Sequence, residues 1–107
     1  MSAPFEELSR LDRLIHEPAR LAIATALASC AEADFVFLQR LTGLSKGNLG
    51  SHLRKLEDAG LVTITKRFEG KHPRTTAQLT DAGMEAIEQH WGQLERLRHE
   101  VRNWRMP

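Results

Sequence analysis

The chain has 107 residues, 41% of them hydrophobic and 27% charged, with a formal net charge of +1. That length holds one domain with a modest core rather than two. A single cysteine, Cys30, excludes an internal disulfide and a multi-cysteine zinc site, and no run of about 18 apolar residues offers a membrane-spanning helix.

The first seven residues carry Glu6 and Glu7 where a signal peptide needs a basic and then an apolar stretch, so the expected location is the cytoplasm. Phe5, Leu8, Leu11 and Ile15 recur at helical spacing and predict a first helix over 5–15. Pro18 suits the first turn of a second helix, where its missing N–H costs nothing. Residues 21–29 are rich in Ala and Leu, and Cys30 beside them reads as an inert, packed thiol. Asp34 is a candidate cap. Phe35-Val36-Phe37 reads either as a short strand or as the lead into a helix. Residues 38–42 read as a short helix that Gly43 stops by taking a positive φ. Ser45 is an N-cap candidate for the next helix, which runs to about Ala59 before Gly60.

The period then changes. Val62, Ile64 and Lys66 alternate with Thr63, Thr65 and Arg67, a strand pattern. Residues 69–73 have turn chemistry, and residues 74–79 return as a second strand. Thr80 caps a last helix that reaches about Trp104. Gly83 falls in its first turn, where it does little harm, and Gly92 falls inside it.

Charge is distributed unevenly along this order. Residues 36–74 hold eight basic residues and three acidic ones, a net +5, which leaves −4 for the rest of the chain. A basic middle between acidic ends fits a polyanion-binding face. Within it, two helices joined by Gly43-Leu44 have the spacing of a helix-turn-helix. Leu49, Leu53 and Leu56 form the inward face of the second helix. Gly47, Gly50 and Ser51 keep the other face small enough to approach a groove. Asn48 and Arg54 can reach base edges, while Lys46 and Lys55 suit phosphates. Asp58 on the same side is a departure; its spacing allows a pair with Arg54. The hairpin that follows ends in a cationic tip, with Lys66, Arg67, Lys71 and Arg74 around a turn that cannot bury them.

The stretch Gly47-Asn48-Leu49-Gly50-Ser51-His52-Leu53-Arg54-Lys55-Leu56-Glu57-Asp58-Ala59-Gly60 resembles the winged-helix domain of small MarR-like and ArsR-like transcriptional regulators. The basic segment from Lys66 through Pro73-Arg74-Thr75, and then Leu79-Thr80-Asp81-Ala82-Gly83, continue the match. It is nearest to the short single-domain branch and covers about Arg13 to Glu88. The resemblance implies an α+β, mostly helical fold: a winged helix-turn-helix with a two-stranded β-wing and N- and C-terminal dimerisation helices. It implies a homodimer on double-stranded DNA, with Lys46, Asn48, Ser51, His52, Arg54 and Lys55 at or near the major groove; Arg40 and Ser45 are also expected DNA-binding residues. Lys66, Arg67, Lys71, His72 and Arg74 belong to the wing. The expected organisation is one domain over 1–107: a winged-helix core at 16–80, with 5–15 and 81–104 serving dimerisation.

The terminal segments argue for a dimer independently. Met84, Ile87, Trp91, Leu94, Leu97, Val101 and Trp104 form a near-heptad stripe. A helix of that length extends roughly 36 Å, more than a small domain covers. The expected dimer interface is Phe5, Leu8, Leu11, Ile15, Ile87, Trp91, Leu94, Leu97, Val101 and Trp104. A small-molecule effector, if one acts, belongs at that interface near Trp91 or Trp104.

No nucleophile elbow, phosphate loop or dinucleotide fingerprint is present, so an enzyme is not expected, nor a cofactor. The histidines His16, His52, His72, His90 and His99 form no HExxH or HxH pair. His90 and His99, with Glu95 and Glu100 nearby, are a weak metal signal and read as surface residues. The competing function is a winged helix used for protein–protein contact without specific DNA binding; the basic middle segment argues against it.

Overall fold

In the computed structural model residues 5–104 are described. A 3-10 turn, Glu6–Arg10, precedes α1 (Pro18–Ala28), β1 (Ala33–Asp34), α2 (Phe35–Thr42), α3 (Lys46–Asp58), β2 (Val62–Glu69), β3 (His72–Leu79) and α4 (Asp81–Asn103).

Local chemistry sets most of these boundaries. The Glu17 side chain accepts from the Arg20 N–H, and Pro18 occupies the first position of α1. Asp34 Oδ1 accepts from the Phe37 N–H at 2.8 Å and starts α2. Gly43, at φ 71°, ends α2 in the left-handed conformation, with its N–H donating to the Gln39 carbonyl at 2.8 Å. Ser45 Oγ accepts from the Asn48 N–H to cap α3, and Thr80 Oγ1 accepts from the Gly83 N–H to cap α4.

The core lies where α1, α2, α3 and the base of α4 meet the sheet. Ile15, Ile23, Leu27, Leu38, Leu49, Leu53, Leu56 and Ile87 are almost fully buried there. Each such side chain contributes roughly 1.5–3 kcal/mol on removal from water.

Three differences from the sequence-based expectation have physical causes. The sheet has three antiparallel strands in the order β1-β3-β2, not two: Ala33 and Asp34 pair with Ala77 and Thr76. Two residues are too few to display a strand period, and the helix starts directly after them. The segment 5–15 is not one α-helix. After the 3-10 turn Leu11 is extended (φ −60°, ψ 144°), and Asp12 Oδ1 accepts from the Leu14 N–H at 2.9 Å, an Asx turn that competes with helix. Gly83 is not a tolerated helix glycine but a close contact: a Cβ there would lie 2.0 Å from the Leu61 carbonyl oxygen. The base of α4 therefore seats directly on the backbone that leaves α3.

Candidate nucleic-acid interface

Leu49, Leu53 and Leu56 fasten one side of α3 to the core, which fixes what the other side presents. Lys46, Asn48, Ser51, Arg54 and Lys55 are all exposed on it. Ser45 is exposed too, with its hydroxyl oxygen engaged as the cap. Arg40 is exposed in the last turn of α2. Among the described residues Arg54 and Asp58 form no ion pair, so the Arg54 guanidinium stays available.

His52 departs from the expected set. Its side chain is only 19% exposed and turns back toward α1. Arg20 Nη1 lies 3.1 Å from His52 Nδ1. A guanidinium can only donate, so Nδ1 accepts and a neutral His52 carries its proton on Nε2. Arg20 is a hub that reasoning from sequence missed. Its Nε donates to the Leu14 carbonyl at 2.6 Å and its Nη2 to the Arg13 carbonyl at 3.3 Å. Glu17 completes the cluster, 3.6 Å from His52 Nδ1 and 3.9 Å from Arg20 Nη1. Partial burial opposes ionisation of Glu17, but the N–H groups of Arg20 and Ala19, with the charge of His52 when it is protonated and that of Arg20, outweigh it and hold the carboxyl below its ordinary value. The recognition-type helix is thus positioned from behind by α1 and the preceding turn.

The wing is the β2–β3 hairpin, closed by the two-residue loop Gly70-Lys71 between the paired residues Glu69 and His72. Arg67 and Arg74 stand directly opposite each other across the strands. Like charges so placed repel, and each is drawn to an acid. Arg67 Nη2 donates to Glu32 Oε1 at 2.9 Å. Arg74 bonds Glu69 and lies 3.7 Å from Asp34 Oδ2. The hydrogen bond that Arg74 donates to Glu69, then the Glu69 charge and those of Asp34 and Glu32, raise the Arg74 pKa above its ordinary value. Lys66 and Lys71, by contrast, are exposed and make no ion pair among the described residues. Between α3 and the wing runs an open groove lined by Lys46, Gly50 and Arg54 on one side and Lys66, His72 and Arg74 on the other. Two surfaces with unpaired cations thus border one concavity.

A winged helix DNA-binding domain profile matches residues 19–98. The chain belongs to that family. A solved structure of a transcriptional regulator homologue from Pyrococcus horikoshii is 34% identical, with a TM-score of 0.83, over 90% of this chain and 97% of that one. An uncharacterised protein of Methanocaldococcus jannaschii is 27% identical over 73% of this chain and 85% of its own length. NadR in complex with 4-hydroxyphenylacetate shares the fold at 21% identity and a TM-score of 0.70, over 92% of this chain and 70% of its own. MarR-family regulators recur among the structures with this fold. The chain is a winged-helix transcriptional regulator with a DNA-binding domain, and its family are not enzymes. Among the described residues no helix is long and apolar enough to cross a membrane, and no group of three or more His, Cys, Asp or Glu side chains is placed to hold a metal.

In this regulator the residues expected at a dimer interface divide into two groups. Ile15, Ile87 and Leu97 are buried within the single chain, and Leu11 nearly so, which gives them a place in its own core. Leu94 is half-buried. Phe5, Leu8, Trp91, Val101 and Trp104 are exposed. The Phe5 and Trp104 ring centroids are 5.6 Å apart, so Phe5 lies beside the end of α4. His90 is buried rather than a surface residue. Its Nε2 lies 3.0 Å from His16 Nδ1, and its Nδ1 has no hydrogen-bond partner among the described residues. Burial first, then the neighbouring His16, hold its pKa below the ordinary value; Asp12 opposes this.

Proposed function

We propose that this regulator binds double-stranded DNA sequence-specifically as a homodimer, with α3 in the major groove and the wing on the backbone or in the minor groove. The observation that carries the reading is the shared groove: Lys46, Asn48, Ser51, Arg54 and Lys55 of α3 and Lys66 and Lys71 of the wing are exposed, and Lys46, Arg54 and Lys66 line one concavity. In this reading Arg54 and Asn48 read bases, and Lys46, Lys55, Lys66 and Lys71 meet phosphates. Arg40 and His72 contact the backbone at the rim. His52 acts indirectly, by fixing α3 against Arg20.

The homodimer is supported by exposed Val101 on the distal part of α4, whose 23 residues extend about 35 Å, by exposed Trp104 at its end with Phe5 beside it, and by exposed Leu8. A two-fold pair of α3 helices about 34 Å apart matches one turn of B-DNA. A small-molecule effector belongs to the same reading. Trp91 lines an apolar groove with Leu21, Thr25, Phe37 and Leu41, and its indole N–H donates to Thr25 Oγ1 at 3.1 Å.

The test is a pair of substitutions on a duplex selected from a random pool. Arg54→Ala should flatten base preference at one position at a loss of roughly 1–3 kcal/mol, and Lys71→Ala should weaken all duplexes alike. An Arg54→Ala protein with unchanged affinity and preference contradicts the assignment of α3, and protein–protein contact then becomes the better reading.

A further inference from the structure

We propose that Phe68, backed by Pro73, is an apolar wedge that the wing inserts into the minor groove, so that the protein reads the deformability of base steps it never hydrogen-bonds. This inference rests on the DNA-binding reading above and deepens it. Phe68 is 73% exposed, more than any other large apolar side chain among the described residues. It stands opposite Pro73, one pair short of the loop. Along β2 it shares a face with Val62, Ile64 and Lys66; Val62 is buried in the core and Ile64 half-buried beside it. The face that packs inside the domain at the base of the wing therefore runs on, uncovered, toward the tip.

Charge argues for duplex DNA as the occupant. The side chains flanking Phe68 at the tip include Lys66 and Lys71, both exposed and without acid partners among the described residues. A polyanion brings that charge complementarity, and the groove shared with α3 lies on the same side of the wing as Lys66. An arginine is the usual cationic filler of a narrow minor groove. Here both wing arginines are drawn back, Arg67 onto Glu32 and Arg74 onto Glu69 and Asp34. What protrudes instead is a ring. Apolar side chains between base steps unstack and kink the duplex, and pyrimidine–purine steps yield most easily.

The experiment uses the full chain and the tightest duplex recovered from a random pool by wild-type protein, with 2-aminopurine placed in turn at steps protected in the minor groove. The expected result is about a tenfold loss of affinity for Phe68→Ala, with the salt slope unchanged because no ion contact is removed. Phe68→Leu should restore most of the affinity. Wild-type protein should raise 2-aminopurine fluorescence at one step, and Phe68→Ala should not. Wild-type binding with Phe68→Ala equal to it overturns this inference and leaves the DNA-binding reading standing. So does a loss of affinity explained by a weaker dimer at equal unfolding temperature. Wild-type protein that binds no duplex overturns both.

Discussion

Arg20 on α1 and His52 on α3 are 32 positions apart in the chain and 3.1 Å apart in space. The contact holds the recognition-type helix at a fixed angle to the scaffold, because the same guanidinium also bonds the Leu14 and Arg13 carbonyls. The Arg20 side chain is only 11% exposed, so removing it strands partners that water reaches poorly. Arg20→Met should destabilise the protein by roughly 2 kcal/mol in denaturant titration. It should also weaken DNA binding although Arg20 does not line the proposed groove. Unchanged stability and affinity would refute this positioning role.

Two glycines of α4 should respond with opposite signs. At Gly83 a methyl group would lie 2.0 Å from the Leu61 carbonyl oxygen, so Gly83→Ala forces backbone apart and should cost about 3 kcal/mol or more. At Gly92 the nearest atom to a new Cβ is Arg96 Nη1 at 3.6 Å, the end of a flexible side chain. Gly92→Ala should therefore stabilise the helix by up to about 1 kcal/mol. Thermal unfolding of the two variants checks both signs.

Stability should depend on pH through His90. Its folded pKa is depressed, so the unfolded chain takes up the proton first as pH falls. Stability is then fully present above the ordinary value of 6.5 and declines as pH drops below it toward the folded pKa. Glu17, also depressed, contributes separately, and its share is lost only below about pH 4.5. Denaturant midpoints between pH 8 and 5 should fall in wild type and fall less in His90→Gln; parallel curves would contradict the assignment.

Val101 is 43% exposed on the distal part of α4. A charge there should leave the protomer folded and break the proposed dimer. Val101→Glu should convert a dimer to a monomer in sedimentation, and weaken binding to a two-half-site duplex by about a hundredfold as the second site loses its effective concentration. A dimer that survives would move the interface elsewhere, to the groove beside Trp91 first.

What was legible in the sequence was what local chemistry decides. Asp34, Ser45 and Thr80 cap the helices they were expected to cap, and Leu49, Leu53 and Leu56 face inward because their spacing leaves no other face for them. Val62 and Ile64 turn inward and Thr63 and Thr65 outward, as their alternation predicts, while Lys66 and the rest of the strand are exposed. What escaped depends on partners far along the chain. Arg20 reads as a surface residue until His52 and the Leu14 carbonyl are brought to it. His90 reads as solvated until His16 covers it. Phe5, Leu8, Leu11 and Ile15 keep helical spacing, but Asp12 turns the backbone between them, and burial of Leu11 and Ile15 satisfies the pattern without a helix. Arg67 and Arg74 looked like free wing cations because Glu32 and Asp34 belong to the segment that becomes β1 and its lead-in, which is too short to show a period.

The most direct test of the central claim is fluorescence anisotropy of the full chain with a selected duplex across a salt series. The five exposed cations assigned to phosphates, Arg40, Lys46, Lys55, Lys66 and Lys71, which make no ion pair among the described residues, predict a slope of log affinity against log salt near −4.5 per protomer, or about −9 for a dimer. Lys71→Ala should lower the magnitude by about one per protomer. A flat salt dependence, or no duplex binding at low salt, would contradict the claim that α3 and the wing form a DNA-binding face.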